Sequence, residues 1–157
     1  TEVLGRVLTA ASGRSMAELT TEWLWQPMGA EFDAFWCTAR DRQEAAYACF
    51  NAALRDWGRL GWMLARDGKA GDRQVISREY LLDATDPARQ PAAFAPYKAT
   101  RYFGYGYQFW RCRHGAYRGD GAFGHRRAVN AATTMVTAPM AVTCQLKPGS
   151  AEMARIN

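Results

Sequence analysis

Gly104-Tyr105-Gly106-Tyr107-Gln108-Phe109-Trp110 and Gly121-Ala122-Phe123-Gly124-His125-Arg126-Arg127-Ala128-Val129 decide the fold class of this chain. Tyr105, Tyr107 and Phe109 alternate with Gly106, Gln108 and Trp110. Aromatic residues at a period of two predict a strand with one packed face. The run from Gly121 again mixes glycine with aromatic and branched residues. Between the two, Arg111 to Asp120 is polar and basic and reads as a hairpin tip. A third apolar run, Met135 to Leu146, follows Asn130-Ala131-Ala132-Thr133. Three consecutive antiparallel strands are expected. The helical patterns upstream have apolar faces to bury, and this sheet is the place for them. The predicted fold class is α+β, an antiparallel sheet of three C-terminal strands packed by helices.

The 157 residues suit one domain or part of one, and are enough to bury a core. No apolar run reaches the ~18 residues of a membrane span, and no secretory signal pattern opens the chain. The chain starts at Thr1 directly on a helical pattern, so its true start is expected elsewhere. The formal charge of +5 comes from arginine far more than from Lys69, Lys98 and Lys147. The arginines are scattered, which suits a solvated basic surface and permits a nucleic-acid partner without requiring one. Cys37, Cys49, Cys112 and Cys144 lie far apart with no Cys-x-x-Cys pair, which argues against a zinc ribbon. Buried thiols are expected.

Val3, Leu4, Val7, Leu8 and Ala11 form one apolar stripe of a helix over 2–12, and Gly13 sits where a C-terminal cap belongs. Ser15 and Glu18 spell a capping box for a second helix, running to about Trp25 and stopped by Pro27. Glu31 to Trp36 reads as extended and Arg40 to Glu44 as a loop. Asn51 is placed to cap a third helix carrying Leu54, Trp57, Leu60, Gly61 and Leu64 on one side. Gly58 and Gly61 inside it predict close packing against a neighbour. That helix ends at Asp67-Gly68. A tight turn over 69–73 and a short extended piece over 74–76 follow. Ser77 caps a short helix through Ala84. The stretch 86–100 holds Pro87, Pro91 and Pro96 and reads as an irregular loop. Pro148-Gly149 breaks the last strand, and Ser150 caps the start of a terminal helix over 151–157. The expected layout is a helical part over about 1–85, a loop over 86–100, a sheet over 101–146 and a helix from 150.

Nucleophilic catalysis needs a nucleophile with a base in reach. Ser12, Ser15, Ser77 and Ser150 all fall at helix boundaries, and none has a lysine three residues later. His125 lies on the expected central strand beside glycine, facing either a cleft or the core. His114 lies in the expected hairpin tip, and with Cys112 offers two metal ligands without a third. Asp33, Asp41 and Glu44 could serve as an acid–base pair only if the fold brought them together. Arg118-Gly119-Asp120 spells an adhesion tripeptide, read here as a chance occurrence in a turn. No complete catalytic site is visible in the residues themselves.

An ordered series of stretches nevertheless resembles serine hydrolases of the class C β-lactamase type, in particular the 6-aminohexanoate-dimer hydrolases and related esterases. It runs through Thr1-Glu2-Val3-Leu4-Gly5, Ala11-Ser12-Gly13-Arg14-Ser15, Leu24-Trp25-Gln26-Pro27-Met28-Gly29 and Asp33-Ala34-Phe35-Trp36. It continues in Asn51-Ala52-Ala53-Leu54-Arg55-Asp56-Trp57-Gly58-Arg59-Leu60-Gly61, in Gly71-Asp72-Arg73-Gln74-Val75-Ile76 and in Gly104 to Trp110. The resemblance implies an incomplete β-lactamase/transpeptidase-like fold and no metal or organic cofactor. It also implies a small-molecule amide or ester substrate cleaved through an acyl-enzyme. The Ser-x-x-Lys and Tyr-x-Asn motifs of that chemistry have no counterpart here and would lie upstream of Thr1, in a missing N-terminal portion. What the resemblance leaves to this chain is the third-motif strand, Gly121, Ala122, Phe123, Gly124 and His125. There the Ala122 N–H would be an oxyanion donor and His125 would take a glutamine position. Arg126-Arg127 departs from the pattern. Tyr47, Cys49 and Phe50 fall at the family's substrate-cleft wall, where glycine pairs are common. The chain alone is expected to be inactive in acyl transfer, and poorly soluble or oligomeric because apolar faces are left exposed.

Two rival readings stay open. Tyr102 to Arg118 interleaves aromatics with Arg101, Arg111, Arg113 and Arg118, a ribbon suited to single-stranded nucleic acid. A non-catalytic relative that keeps the cleft for peptide binding is the other.

Overall fold

Gly13 closes the first helix, α1 (Glu2–Ser12), with a left-handed φ of 67°, its N–H donating to the Thr9 carbonyl. A computed structural model describes residues 1–95, 97–98, 103–112, 116–120, 126–130, 135–137 and 153–157. The next helix, α2 (Met16–Thr20), opens with the capping box read from the sequence. The Ser15 hydroxyl accepts from the Glu18 N–H while the Glu18 carboxylate accepts from the Ser15 N–H. The chain runs on as one π-helical turn, Thr21–Trp25, before Pro27. Those described residues divide between two units, Thr1–Asp56 with Ala141–Asn157, and Trp57–Met140.

In the first unit a three-stranded antiparallel sheet has the order β10-β1-β2, with β1 Ala34–Cys37, β2 Phe50–Asn51 and β10 Met153–Ile156. The expected helix over 151–157 is therefore a strand where it is described. The reason lies in its pattern and its neighbour. Ile156 is fully buried, Arg155 is exposed and Ala154 is half-buried. Little more than one helical turn would be marginal alone. The edge of β1 instead offers a full ladder, pairing Ala34 with Ile156 and Trp36 with Ala154. Leu19, Trp25, Ala34, Trp36 and Ile156 supply much of this unit's buried apolar surface. Asn51 does not cap a helix. It lies in β2, and its side-chain amide donates to the Cys49 carbonyl at 2.9 Å.

Helix α3 (Leu54–Ala65) straddles the division between the units. Gly61, Met63 and Ala65 are buried, while Leu54 and Trp62 are exposed. The close packing expected at Gly58 is absent, because a Cβ there would meet nothing within 4 Å. After it, Gly68 is forced by its surroundings. Its φ is 82°, and a Cβ would stand 2.2 Å from the Ile76 carbonyl oxygen. A hairpin of β3 (Lys69–Ala70) and β4 (Arg73–Gln74) leads to α4 (Arg78–Thr85), capped by Ser77 as expected. The proline-bearing stretch 86–95 makes two short 3-10 turns, Pro87–Arg89 and Ala92–Phe94.

A five-stranded antiparallel sheet follows in the order β5 (Tyr105–Gly106), β6 (Phe109–Arg111), β7 (Tyr117–Asp120), β8 (Arg126–Asn130) and β9 (Met135–Thr137). The antiparallel sheet is as expected, but three strands become five. Residues 104–110 are a hairpin rather than one strand. Tyr107 and Gln108 form its tip with φ of 50° and 68°, the backbone that two-residue hairpin turns demand. Neither is glycine or asparagine, so no turn signal was present to read. The tip is held by one tyrosine within the hairpin and one outside it. The Tyr105 hydroxyl bonds the Gln108 side-chain oxygen at 2.9 Å, and the Tyr80 and Tyr107 rings meet edge to face at 5.9 Å. Arg111 to Asp120 is likewise more than a hairpin tip, since Arg111 belongs to β6 and Tyr117 to β7. Tyr117 is 4% exposed and clusters with Ala65, Leu64 and Phe109. Burial of that ring explains why a polar stretch is paired strand. Ser150 and the predicted strand beyond Thr137 lie outside the described residues.

Candidate functional site

The expected cleft wall, Tyr47, Cys49 and Phe50, belongs to the first unit. Phe50 meets Trp25 edge to face at 5.4 Å and Trp36 at 5.1 Å. Such pairs add about 1 kcal/mol to the area they bury. The Trp36 indole N–H lies 3.0 Å from the Ala45 carbonyl and 2.9 Å from that of Ala48, pinning the segment that leads to β2. The Trp25 indole donates to the Phe32 carbonyl at 2.8 Å. Phe50 thus packs inward between two tryptophans, whereas Tyr47 is 70% exposed. Cys49 holds a left-handed φ of 63° between them.

The acid–base trio does not assemble. Glu44 is buried, and its carboxylate accepts from the Met16 and Ala17 N–H groups at 3.4 and 3.1 Å, serving the start of α2. Asp41 accepts from the Gln43 N–H and faces Arg6 at 3.9 Å. Asp33 accepts from Arg155 at 2.8 Å. A fourth carboxylate, Asp56, is fully buried and takes the Glu31 and Phe32 N–H groups at 2.9 and 3.1 Å. It reads in the sequence as an ordinary polar helix residue, and only the fold shows its position. The serines do what their helix boundaries predict. Ser15 and Ser77 cap, and Ser12 accepts from the Arg14 N–H. Among the described residues no group of three His, Cys, Asp or Glu could hold a metal ion.

In the second unit Gly121, Ala122, Phe123, Gly124, His125 and also His114 lie outside the described residues. The strands flanking 121–125 in sequence are paired, with Asp120 opposite Arg126 and Gly119 opposite Arg127. Arg126-Arg127 and Arg118-Gly119-Asp120 are therefore ladder residues; the tripeptide is not in a turn. Arg111, read from sequence as part of a basic tip, is only 4% exposed, and its Nε and Nη2 have no partner among the described residues. Burial pushes its guanidinium pKa down, opposed by the Asp86 carboxylate. The backbone of Gly104 lies against it, for a Cβ there would stand 3.4 Å from Arg111 Cδ and 2.7 Å from the Phe94 carbonyl oxygen.

Of the expected nucleic-acid ribbon, Arg101, Tyr102 and Arg113 lie outside the described residues. Arg111 faces the interior, Phe109 meets Tyr117 edge to face at 5.3 Å, and Tyr105 meets Trp110 at 4.6 Å. Tyr105, Phe109 and Trp110 are half-buried, and Tyr107 at the hairpin tip is exposed. An open groove of about 470 Å³ is lined by Arg6, Thr9, Ala10, Gly13, Arg14 and Gln43 in the first unit. None of the predicted site residues lines it, and both arginines are engaged, Arg6 with Glu2 and Arg14 with Glu22. No helix among the described residues is long and apolar enough to cross a membrane.

No protein-family profile matches the chain, and no curated protein does. Among solved structures, a chain described as a "putative 6-aminohexanoate-dimer hydrolase from Bacillus anthracis" superposes on it with a TM-score of 0.76 at 26% sequence identity. The match covers 86% of this chain and 34% of that one. The chain thus spans about a third of the length of the structure it matches. Helices with antiparallel sheets and this likeness together give the chain a hydrolase-like α+β fold.

Proposed function

We propose that this chain is the C-terminal part of a β-lactamase-related serine hydrolase that cleaves amide or ester bonds through an acyl-enzyme. The observation that carries the reading is the superposition of 86% of the chain on 34% of a protein described as a hydrolase. The ordered motifs from Thr1-Glu2-Val3-Leu4-Gly5 to Gly104-Tyr105-Gly106-Tyr107 support it independently. In this reading the nucleophile and its base belong to Ser-x-x-Lys and Tyr-x-Asn motifs upstream of Thr1. This chain supplies the third motif, Gly121 to His125, with the Ala122 N–H as one oxyanion donor, and a wall built on Tyr47, Cys49 and Phe50. Two N–H groups fixed where negative charge develops are typically the largest single electrostatic contribution to acyl transfer. The neighbour's description names a dimer of 6-aminohexanoate, whose units an amide joins, so amides are the first substrate class to try and esters the second.

The test begins with the coding sequence upstream of the Thr1 codon. In-frame Tyr-x-Asn and, farther upstream, Ser-x-x-Lys are expected. The extended protein should then give a burst of product from a chromogenic ester, and the 157-residue chain none. A burst from the 157-residue chain alone, or unrelated sequence upstream, would overturn the reading.

A further inference from the structure

We infer that Cys37 and Cys49 form a redox-responsive thiol pair, closed to a disulfide by a low-molecular-weight disulfide such as oxidised glutathione. The inference stands without the hydrolase reading, because it rests on the hydrogen bonds that join these two residues. Phe35 pairs with Asn51 and Trp36 with Phe50. Just past the last of these pairs the Cys37 N–H donates to the Cys49 carbonyl at 3.1 Å, while the Cys37 carbonyl accepts from the Ala45 N–H at 3.0 Å. That hydrogen bond brings the two backbones together, and a disulfide spans Cα atoms roughly 4.4–6.8 Å apart.

The side chains support the placement. The Asn51 amide nitrogen approaches Cys37 Sγ at 3.9 Å and the Cys49 carbonyl at 2.9 Å. The Cys37 sulfur therefore lies on the same side of the ladder as the Asn51 side chain, which also holds the Cys49 carbonyl. Cys49, with its φ of 63°, stands where the regular ladder ends. Cys49 itself takes no part in the pairing of β1 with β2. Neither cysteine is in a disulfide, Cys37 is buried and Cys49 is partly exposed. That difference sets the order of events. The Cys49 thiolate attacks one sulfur of oxidised glutathione, forming a mixed disulfide and releasing one glutathione thiolate. The Cys37 thiolate then attacks Cys49 Sγ and displaces the second glutathione. Two protein thiols are oxidised to one disulfide, and one oxidised glutathione is reduced to two thiols. The crosslink would fasten Cys49 to β1 beside Phe50, stiffening the segment that carries Tyr47.

The experiment treats the native reduced chain with oxidised glutathione, blocks remaining thiols and maps peptides without reduction. Trypsin cuts after Arg14, Arg40, Arg42 and Arg55, so Cys37 falls on Ser15–Arg40 and Cys49 on Gln43–Arg55. A covalent link between those two peptides is expected, reversed by dithiothreitol. In Cys37→Ser the glutathione adduct on Cys49 should persist, with a lifetime at least about tenfold longer than in the parent chain. Equal adduct lifetimes, links from Cys37 or Cys49 to Cys112 or Cys144 instead, or Cys37 and Cys49 thiols that both survive treatment would each overturn the inference.

Discussion

Tyr117 shows how one buried side chain reports on a whole unit. It lies on a stretch whose composition, Arg113 to Arg118, reads as exposed, yet it is 4% exposed and its hydroxyl donates to the Leu64 carbonyl at 3.2 Å. Burial, with help from the Asp67 carboxylate, pushes its phenol up to about 12 from the ordinary 10.0. Below pH 10 the phenol is protonated in both folded and unfolded chains, and the full stabilisation is present. Between about pH 10 and 12 the unfolded chain loses this proton while the folded chain keeps it, so stability falls across that window by roughly 3 kcal/mol. Spectrophotometric titration of the folded chain should show a late-ionising tyrosine. Tyr117→Phe should remove that late step; its persistence would reassign it. The sequence could not supply this residue, because period two is read from apolar neighbours and Tyr117 has arginine, glycine and aspartate after it. Glu44 and Asp56 were illegible for a related reason. A carboxylate that serves backbone N–H groups 24 to 28 positions away leaves no local pattern. Ser15 with Glu18, whose partners lie within one turn, was legible in full.

Among the elements, α1 carries the clearest unmet demand. Val3, Leu4 and Val7 are 73%, 62% and 59% exposed, and Leu8 is 36% exposed. The apolar stripe that predicted this helix is thus real, but it is not the face by which the helix is held. Gly5 is buried, and a Cβ built on it would stand 2.3 Å from Ala46 Cβ. Gly5→Ala should therefore destabilise by about 1–3 kcal/mol through overpacking, against the gain in helix propensity of up to about 1 kcal/mol. Adding Ala46→Gly should restore much of the loss, which chemical denaturation of both variants measures. No recovery in the double variant would mean the contact is not the cause. The exposed stripe gives the opposite expectation. Leu4→Lys with Val7→Lys should change unfolding free energy by less than about 1 kcal/mol, since surface substitutions seldom cost more. The same variant should reduce self-association in light scattering, because apolar patches of this kind drive it. A large loss of stability would show that the face is covered. Helix existence and caps were readable because both are local. Which face a helix buries depends on residues such as Ala46, far along the chain, and stripe arithmetic cannot see them.

At the scale of the whole molecule, segments distant in sequence meet in one sheet. β10 adds to β1 across more than a hundred residues, with Ala34 opposite Ile156, and Arg155 and Asp33 joined by an ion pair. The sequence suggested a helix there because Ser150 and the following alanine and methionine carry helix signals, and nothing local names a strand's partner. The two contributions to this closure differ in weight. Arg155 and Asp33 have side chains 64% and 36% exposed, and exposed ion pairs contribute about 0–1 kcal/mol. Ile156 is 0% exposed and fills the first unit's core, where Ile→Ala costs about 2–5 kcal/mol. Arg155→Ala should accordingly leave the unfolding midpoint almost unchanged. Ile156→Ala should lower it sharply, and removing 153–157 should go further by stripping β1 of its ladder and exposing an unpaired edge. Hydrogen exchange gives the sharpest reading, because β1 amides that donate to β10 lose protection only if the strand is gone. In the Ile156→Ala chain those amides should exchange faster while the amides of α4, in the other unit, hold their rates. Equal acceleration in both would show that the units unfold as one, and unchanged β1 rates would show that the terminal strand contributes nothing to the fold.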